Sequence, residues 1–457
     1  MNIRIVLLSL LAAIIPAVQA DVIKCKSQQV LCVGGDAPAV PPEQSFWTSK
    51  EELKKLNNLV EIGAHREGLS CKMVDNPHVT CSKKWSGSFA MHAGESSGFF
   101  NQIYVKMPHE DFYRIEIEPI APDAYAALKK AYVDTISAKF RRAIPGALTK
   151  GISWFMGKQY NKPDVAHTTK HINELLEPFG FSWNGTSGQV VDAKKAEFAR
   201  ALGVDPSEWV VPVGGYQTYN DFFAHSLIKE ARPITGTNSA DIVSPADSKL
   251  TIVENVKNQI TLFKVKQDDF TLEKFLGDES LARQFDGGTI MIFRLSPYNY
   301  HRFHIAVDGI PAKSVMIKEK GLESVDPIAY KTGIDALIIN KRERVVIDTP
   351  YGKMVTVIVG AFGVGTIVNT YKPCEFTTKG AELGYFAFGG STLVLVFEKG
   401  AITFADQEVL EHSRKGYETA IKMGEKVASF VPTLFNSSWN PNELEKSCAL
   451  IGPHKKK

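Results

Sequence analysis

The sequence predicts an α+β protein, with an N-terminal mixed region and a helical segment packed on a C-terminal β-rich domain of sandwich or barrel type. Three observations carry this. Helical spacing of apolar residues dominates from about 121 to 235. Beyond Asp241 that period gives way to short β-branched and aromatic runs separated by Gly, Pro, Asn and Asp. The chain has 457 residues, 44% hydrophobic and 23% charged, which is enough for two or three domains with a sizeable core. The same balance excludes global disorder and a collagen-like fibre. Lys+Arg number 53 against 50 Asp+Glu, a net charge of +3, so the basic excess expected of a nucleic-acid binder is missing.

Residues 1–20 read as a signal peptide. Arg4 gives a positive start, Ile5 to Ile15 is apolar except for Ser9, and Val18-Gln19-Ala20 offers small residues for cleavage before Asp21. A retained anchor is the alternative. The run is too short to span a bilayer comfortably, and no later segment is long and apolar enough to do so. Six cysteines agree with export: Cys25, Cys32, Cys71 and Cys81 near the N-terminus, Cys374 and Cys448 far from it. An even count in an oxidising compartment points to disulfides whose pairing the sequence leaves open. Asn184-Gly-Thr and Asn436-Ser-Ser are glycosylation sequons, meaningful in a eukaryotic host. The expected location is the secretory pathway, secreted or lumenal, periplasmic in a bacterium.

Residues 21–120 are a cysteine-containing region of unassigned role. Ser49 and Glu52 form a capping box for a helix to about Ile62, and short strands and loops follow. The helical region covers 121–235. Tyr125, Leu128, Tyr132, Ile136 and Phe140 recur at helical spacing on a segment that also carries Lys129, Lys130, Lys139, Arg141 and Arg142. Pro145-Gly146 interrupts it, and Leu148 to Met156 follows with Trp154-Phe155. Such a basic amphipathic stretch fits either a membrane interface or a core-facing helix with a solvated charged face. Shorter helices are expected at about 167–177, 192–202 and 218–228.

The β-rich domain covers 236–457. Expected strands are Leu250 to Val256, Ile260 to Val265, Thr289 to Leu295, Ala336 to Ile339, Val345 to Asp348, Met354 to Val359, Gly365 to Thr370, Gly384 to Phe388 and Thr392 to Phe397. A last helix is expected near Lys415–Val427.

Several motifs are weighed and set aside. Gly94-Glu95-Ser96-Ser97-Gly98 has the spacing of a nucleophile elbow, but a strand rather than a helix follows it. The Gly360 to Gly365 run follows a strand yet leads into more β structure, so a bend or bulge is expected rather than a phosphate loop. His301 and His304 are three apart in extended sequence, which sends them to opposite faces, and no third ligand is suggested, so no metal is expected. A proton-transfer role or core packing stays open for them. Phe388-Gly389-Gly390-Ser391-Thr392 reads locally as a hairpin turn. Gly-Ser at a strained turn also suits an intramolecular acyl shift, since a glycine carbonyl is open to attack by the following hydroxyl. That chemistry needs a base, and Asp247 in Ser244-Pro-Ala-Asp247 has the character to orient one.

Taken together, these segments resemble phosphatidylserine decarboxylases, self-processing pyruvoyl enzymes. The resemblance rests on Tyr219-Asn-Asp-Phe-Phe223, Ala231-Arg-Pro-Ile234 and Ser244-Pro-Ala-Asp247. It extends through Arg294-Leu-Ser-Pro-Tyr-Asn-Tyr-His-Arg-Phe-His304 with Val307-Asp-Gly309, and Glu382-Leu-Gly-Tyr-Phe-Ala-Phe-Gly-Gly-Ser-Thr392. It covers about 210 to 400, in the family's order. Ser248 stands where the family usually has Gly, Gly389 where it often has Leu, and Lys229-Glu230 where Pro-Gly often precedes Ala-Arg-Pro-Ile.

The resemblance implies that Asp247 and His304 activate Ser391, whose Oγ attacks the Gly390 carbonyl. The chain is then cut between Gly390 and Ser391, and residue 391 becomes the pyruvoyl cofactor, to which the substrate amine binds as an imine while CO2 leaves. His301 is implied in the decarboxylation step. The product is phosphatidylethanolamine, and the two chains stay together. Under this reading residues 125–156 become a membrane-docking surface, with Lys139, Arg141, Arg142, Trp154 and Phe155 at the lipid, and the protein is peripherally membrane-associated. A decarboxylase of a soluble amino acid, or a non-enzymatic binding module on the same scaffold, is the alternative. The sequence does not decide between monomer and homo-oligomer.

Overall fold

The computed structural model describes residues 22–24, 69–74, 78–84, 102–106, 113–116 and 160–450. Within the last range it excepts 194–195, 197–198, 201–202, 258, 263–264, 268–269, 297, 318–324, 326–334, 362–364, 388–389 and 415–417. The signal peptide, the Ser49–Glu52 box, the glycine-serine run at 94–98 and the segment 125–156 lie outside the described residues. The described parts fall in two units, each taken by itself. In the first, β1 (Val22–Lys24), β3 (His78–Lys84) and β2 (Leu69–Val74) form an antiparallel sheet in the order β1-β3-β2, with Cys71 opposite Cys81 in its register. Strands β4 (Gln102–Lys106) and β5 (Tyr113–Glu116) pair separately.

The second unit mixes helices and antiparallel sheets, as the sequence predicts. Its helical part opens with Val165–Leu176, whose N-terminus is capped by the Asp164 carboxylate and which buries Thr168, Ile172, Leu175 and Leu176 on one face. The hairpin of β6 (Phe181–Trp183) and β7 (Gly188–Val190) and the short pair β8 (Trp209–Val210) and β9 (Ser226–Leu227) follow. Between β8 and β9 lies the short helix Tyr219–Phe223. Its start is fixed by a capping box in which Thr218 and Asp221 bond each other's backbone N–H. The predicted helix 218–228 therefore ends early.

Nine strands then build the frame that holds the site. They are β10 (Asp241–Val243), β11 (Ser248–Val256), β14 (Gly288–Arg294), β15 (Arg302–His304), β18 (Arg342–Thr349), β19 (Gly352–Gly360), β20 (Ile367–Asn369), β21 (Glu382–Phe386) and β22 (Gly390–Phe397). The large sheet runs β18-β19-β22-β14-β11, with β24 (Thr419–Ile421) beside β11 and β16 (Ile310–Pro311) beyond β18. Its central strands read as near-continuous apolar runs because they are buried: Val355, Val357, Val359, Val394 and Val396 share a core with Phe270, Phe275, Phe285 and Leu337. A smaller sheet runs β15-β21-β20. A third pairs β10 with β25 (Lys426–Phe430).

Four local expectations are corrected. Ala336–Ile339 is one helical turn, not a strand, because the Asp335 carboxylate caps it at Leu337 N–H; a four-residue apolar run has too few positions to show its period. Ile260 to Val265 splits into the two strands of a hairpin, β12 (Ile260–Leu262) and β13 (Val265–Gln267). The helix expected at Lys415–Val427 lies earlier, at Gln407–Arg414. Residues 419–421 instead join the sheet, and Gly424, at φ +88, turns the chain against the Pro233 carbonyl where a side chain has no room. Finally, β21 and β22 are not the two arms of a hairpin, since they belong to different sheets. The Gly360 bend does form, as a register shift between β19 and β22.

Replacing Phe275, fully buried in this core, by Ala is expected to cost about 3–5 kcal/mol through lost transfer energy and a residual cavity. Val213→Ala, at a fully exposed position, should stay within about 0.5 kcal/mol. Chemical denaturation of both variants checks the contrast.

Candidate active site

The aspartate segment is a turn between β10 and β11. Ser244 Oγ donates to Ala246 O at 2.8 Å, and the turn delivers Asp247 to a position only 1% exposed. An ionised carboxylate at that depth needs compensation. It comes from Arg232, itself buried: Nε lies 2.8 and 2.9 Å from the two carboxylate oxygens and Nη2 lies 2.6 Å from Oδ2. The Met423 backbone N–H adds a bond of 2.8 Å. Glu208 takes the remaining Arg232 nitrogen at 2.7 Å. Burial works against the guanidinium charge, but Asp247 and Glu208 outweigh it and hold Arg232 above its ordinary value. Gly203, at φ +81, lets the chain pass the site, where a Cβ would lie 2.8 Å from Asp247 Oδ2. Ser248 opens β11 with ordinary negative φ and bonds Ala246 O at 3.2 Å, so this position does not demand the family's glycine.

The histidine segment runs from β14 to β15 through a loop pinned by Ser296 N–H to Asn299 Oδ1 at 2.7 Å. Its entry is fixed by Arg294, which forks onto the buried Glu418 carboxylate at 2.6 and 2.5 Å. Strand β15 ties the segments together. His304 N–H donates to Pro245 O at 2.8 Å in the aspartate turn, and Phe386 N–H in β21 donates to His301 O at 2.9 Å.

His304 lies between two oxygens. Its Nδ1 is 2.9 Å from Gly380 O, and a carbonyl only accepts, so Nδ1 carries the proton. Nε2 then accepts from Tyr300 OH at 3.1 Å. Burial lowers the His304 pKa, partly opposed by the Gly380 hydrogen bond and by the charges of Glu382 and Asp247. The ring is neutral, with its basic lone pair on Nε2. His301 stacks on Phe223 at 3.8 Å between ring centres, and its Nδ1 has no hydrogen-bond partner among the described residues. Burial lowers its pKa to about 3. Burial likewise brings His225, next in this aromatic cluster, down to about 4.

Ser391 stands at the start of β22, 6% exposed, with Oγ donating to Leu295 O at 2.7 Å. The next residue, Thr392, has φ +96, a sterically strained conformation for a β-branched side chain. Thr392 Oγ1 is buried without a hydrogen-bond partner among the described residues. The fold thus brings the three predicted segments together, but Asp247, His304 and Ser391 are each hydrogen-bonded to other groups. Asp247 acts on His304 through its field.

Sequence reading missed the roles of Arg232 and Tyr300, although both stand inside the motifs it singled out. A lone Arg three residues from Lys229 looks solvated, and only burial shows it as the partner of Asp247. Lys249 was missed altogether. It is 1% exposed, bonds Ser296 Oγ and Tyr298 OH, and sits 4.2 Å from the Tyr298 ring centre, bringing a positive charge to the histidine segment. Among the described residues no group of three or more His, Cys, Asp or Glu is placed to hold a metal, and no helix is long and apolar enough to cross a membrane. Lys139, Arg141, Arg142, Trp154 and Phe155 lie outside the described residues.

Comparison with known proteins bears on the same segments. The family model for phosphatidylserine decarboxylase matches residues 219–429. The phosphatidylserine decarboxylase proenzyme of Clostridium novyi is 33% identical over 316 residues, 69% of this chain and 95% of that protein. That of Fusobacterium nucleatum is 40% identical over 248 residues, 53% of this chain and 81% of the relative. Proenzyme 3 of Schizosaccharomyces pombe is 38% identical over 232 residues, half of this chain and 24% of the relative.

The buried neutral histidines predict a pH dependence of stability. Their folded pKa values lie below the unfolded value of about 6.5, so the unfolded chain binds more protons in between. Stability is full above about pH 6.5 and falls as pH drops toward 4 and 3, by about 1.4 kcal/mol per pH unit for each histidine. Denaturant midpoints from pH 7 to 4 should fall more steeply for the native chain than for His225→Gln.

Proposed function

This chain belongs to the phosphatidylserine decarboxylase family, and from that premise we propose that it is a self-processing pyruvoyl enzyme that converts phosphatidylserine to phosphatidylethanolamine and CO2. The observation that carries the reading is a hydrogen-bonded chain linking three distant segments, from Ser391 through the histidine segment to the aspartate turn. Ser391 Oγ bonds Leu295 O, and β15 joins the Pro245 turn on one side and β21 on the other. The backbone is strained one residue past the scissile peptide.

In maturation, His304 Nε2 is the base for Ser391. Tyr300 OH now occupies that lone pair, so the phenol turns aside or relays the proton. Asp247, paired with Arg232, stabilises the imidazolium through its field. Oγ attacks the Gly390 carbonyl carbon, the peptide C–N bond breaks, and the chain continues through an ester. Removal of the residue-391 Cα proton expels the Gly390 carboxylate. Hydrolysis of the resulting enamine releases ammonia and leaves a pyruvoyl group.

The surroundings fit that group: Ser391 is buried, and Thr392 Oγ1 on the adjacent residue is a buried polar atom without a hydrogen-bond partner among the described residues. When formed, the pyruvoyl carbonyl supplies an electron sink for decarboxylation of an amine-bearing substrate. An anionic substrate beside His301 favours its protonated form, from which a proton passes to the carbon that CO2 leaves. The segment 125–156 docks on the membrane through Lys139, Arg141, Arg142, Trp154 and Phe155. The protein is exported to a secreted or lumenal setting, periplasmic in a bacterium; the Cys374–Cys448 disulfide supports an oxidising compartment.

Intact mass under denaturing, reducing conditions is expected to give two species divided after Gly390, the smaller one lighter by ammonia than simple hydrolysis predicts. Ser391→Ala and His304→Ala should stay whole and release no CO2 from phosphatidylserine vesicles. If Ser391→Ala still yields two fragments, the processing site lies elsewhere; release of CO2 from free serine but not from vesicles would reassign the substrate.

Charge reversal at Lys139, Arg141 and Arg142 together should weaken binding to phosphatidylserine vesicles in a flotation assay. Unchanged binding would remove those residues from the docking surface.

A further inference from the structure

The disulfide Cys374–Cys448 joins residues 74 apart, with S–S 2.07 Å and Cα atoms 5.5 Å apart. The Gly390–Ser391 peptide lies between its two ends. Cys448 is the only cysteine after position 390; the other five precede it. We infer that the mature enzyme is a covalently tethered heterodimer, in which the chain beginning at residue 391 stays linked to the chain ending at Gly390 through Cys448 and Cys374. This rests on the processing site proposed above.

The neighbourhood of the bond is built as a docking site for the far end of the shorter chain. Cys448 lies on the last helix, Pro441–Leu450. From that helix Glu445 Oε1 accepts from Phe376 N–H at 2.6 Å, two residues past Cys374. Just before the helix, Trp439 Nε1–H donates to Asp348 Oδ1 at 2.9 Å, and its ring lies 6.1 Å from that of Phe376. On the other side of the bond, Cys374 N–H donates to Pro311 O at 2.7 Å, and Thr377 exchanges backbone bonds with Gly309. The loop from Cys374 therefore rests on the frame before it reaches Gly380, whose carbonyl orients His304.

The tether and the sheet divide the work. Strand β22, at the start of the shorter chain, is laced between β14 and β19, so it keeps its place with or without the disulfide. The last helix has no fully buried residue among those described and is held by few contacts besides the covalent link, the Glu445–Phe376 bond among them. Reduction should thus free the two chains only once the protein is denatured.

The test uses the full chain, purified from an oxidising secretory host with free thiols blocked before denaturation. Without reductant, intact mass should show one species equal to both chains together; with reductant, two species, the smaller covering residues 391–457. Size-exclusion volume of the native protein should be the same with and without reductant. Cys448→Ser should give two denatured species even without reductant. If that variant does not accumulate, a non-reducing proteolytic digest of the native protein should contain the peptide pair that joins Cys374 to Cys448. Two species from the native protein without reductant, or a digest lacking that linked pair, would overturn the tether while leaving the processing site intact. One species under both conditions would instead overturn the processing site, and with it any link between two chains.

Discussion

The Arg232–Asp247 ion pair is the constraint around which the site is arranged. Both groups are withdrawn from water, where each alone would be costly, and their forked contact with added bonds from Glu208 and the Met423 backbone makes the burial tolerable. Its partners come from widely separated stretches of chain: the turn before β8, the turn at 229–231, the β10–β11 turn and the β24–β25 turn. Even Gly203 is placed by it, since there is no room for a side chain beside Asp247 Oδ2. Losing either member would strand a charge in the interior rather than simply remove a contact.

The ion pair also explains why the predicted triad is spread out rather than in contact. Asp247 has its oxygens filled, so its effect on His304 is exerted across a gap through a low-dielectric interior, where charge acts over a longer range than in water. The histidine's orientation is supplied by neutral oxygens instead, Gly380 O and Tyr300 OH. This separates two jobs that one carboxylate often combines: one group sets the tautomer and another sets the field.

Much of this was legible in the sequence, and what was not has specific causes. The strand from Met354 to Val359 shows in its β-branched run, because burial on both faces leaves no polar alternation to confuse it. Those from Leu250 to Val256 and Thr289 to Leu295 show in apolar runs broken only by single polar groups or pairs. The turn at Ala336 was misread because its only marker is the capping carboxylate of Asp335. The region at 388–392 read as a hairpin because a sequence shows that two strands follow one another, not which sheet each joins. Asp247, His301, His304 and Ser391 could be singled out by motif. Their partners could not, since Arg232, Tyr300 and the Leu295 carbonyl matter through burial and direction. The strain at Thr392 has no compositional signature, as threonine rarely adopts such a backbone by choice.

The passage of the chain from β21 to β22 between two different sheets has a mechanical consequence. Most peptide bonds in a β-rich domain are clamped in a ladder, and severing one would unravel neighbours on both sides. Here a break after Gly390 removes at most the terminal Gly390–Gly360 rung. The upstream end stays woven with β15 and β20, and the downstream end stays woven with β14 and β19. Each new terminus is moored to its own anchorage, so the strand can be parted like a rope between two cleats, with neither length going slack.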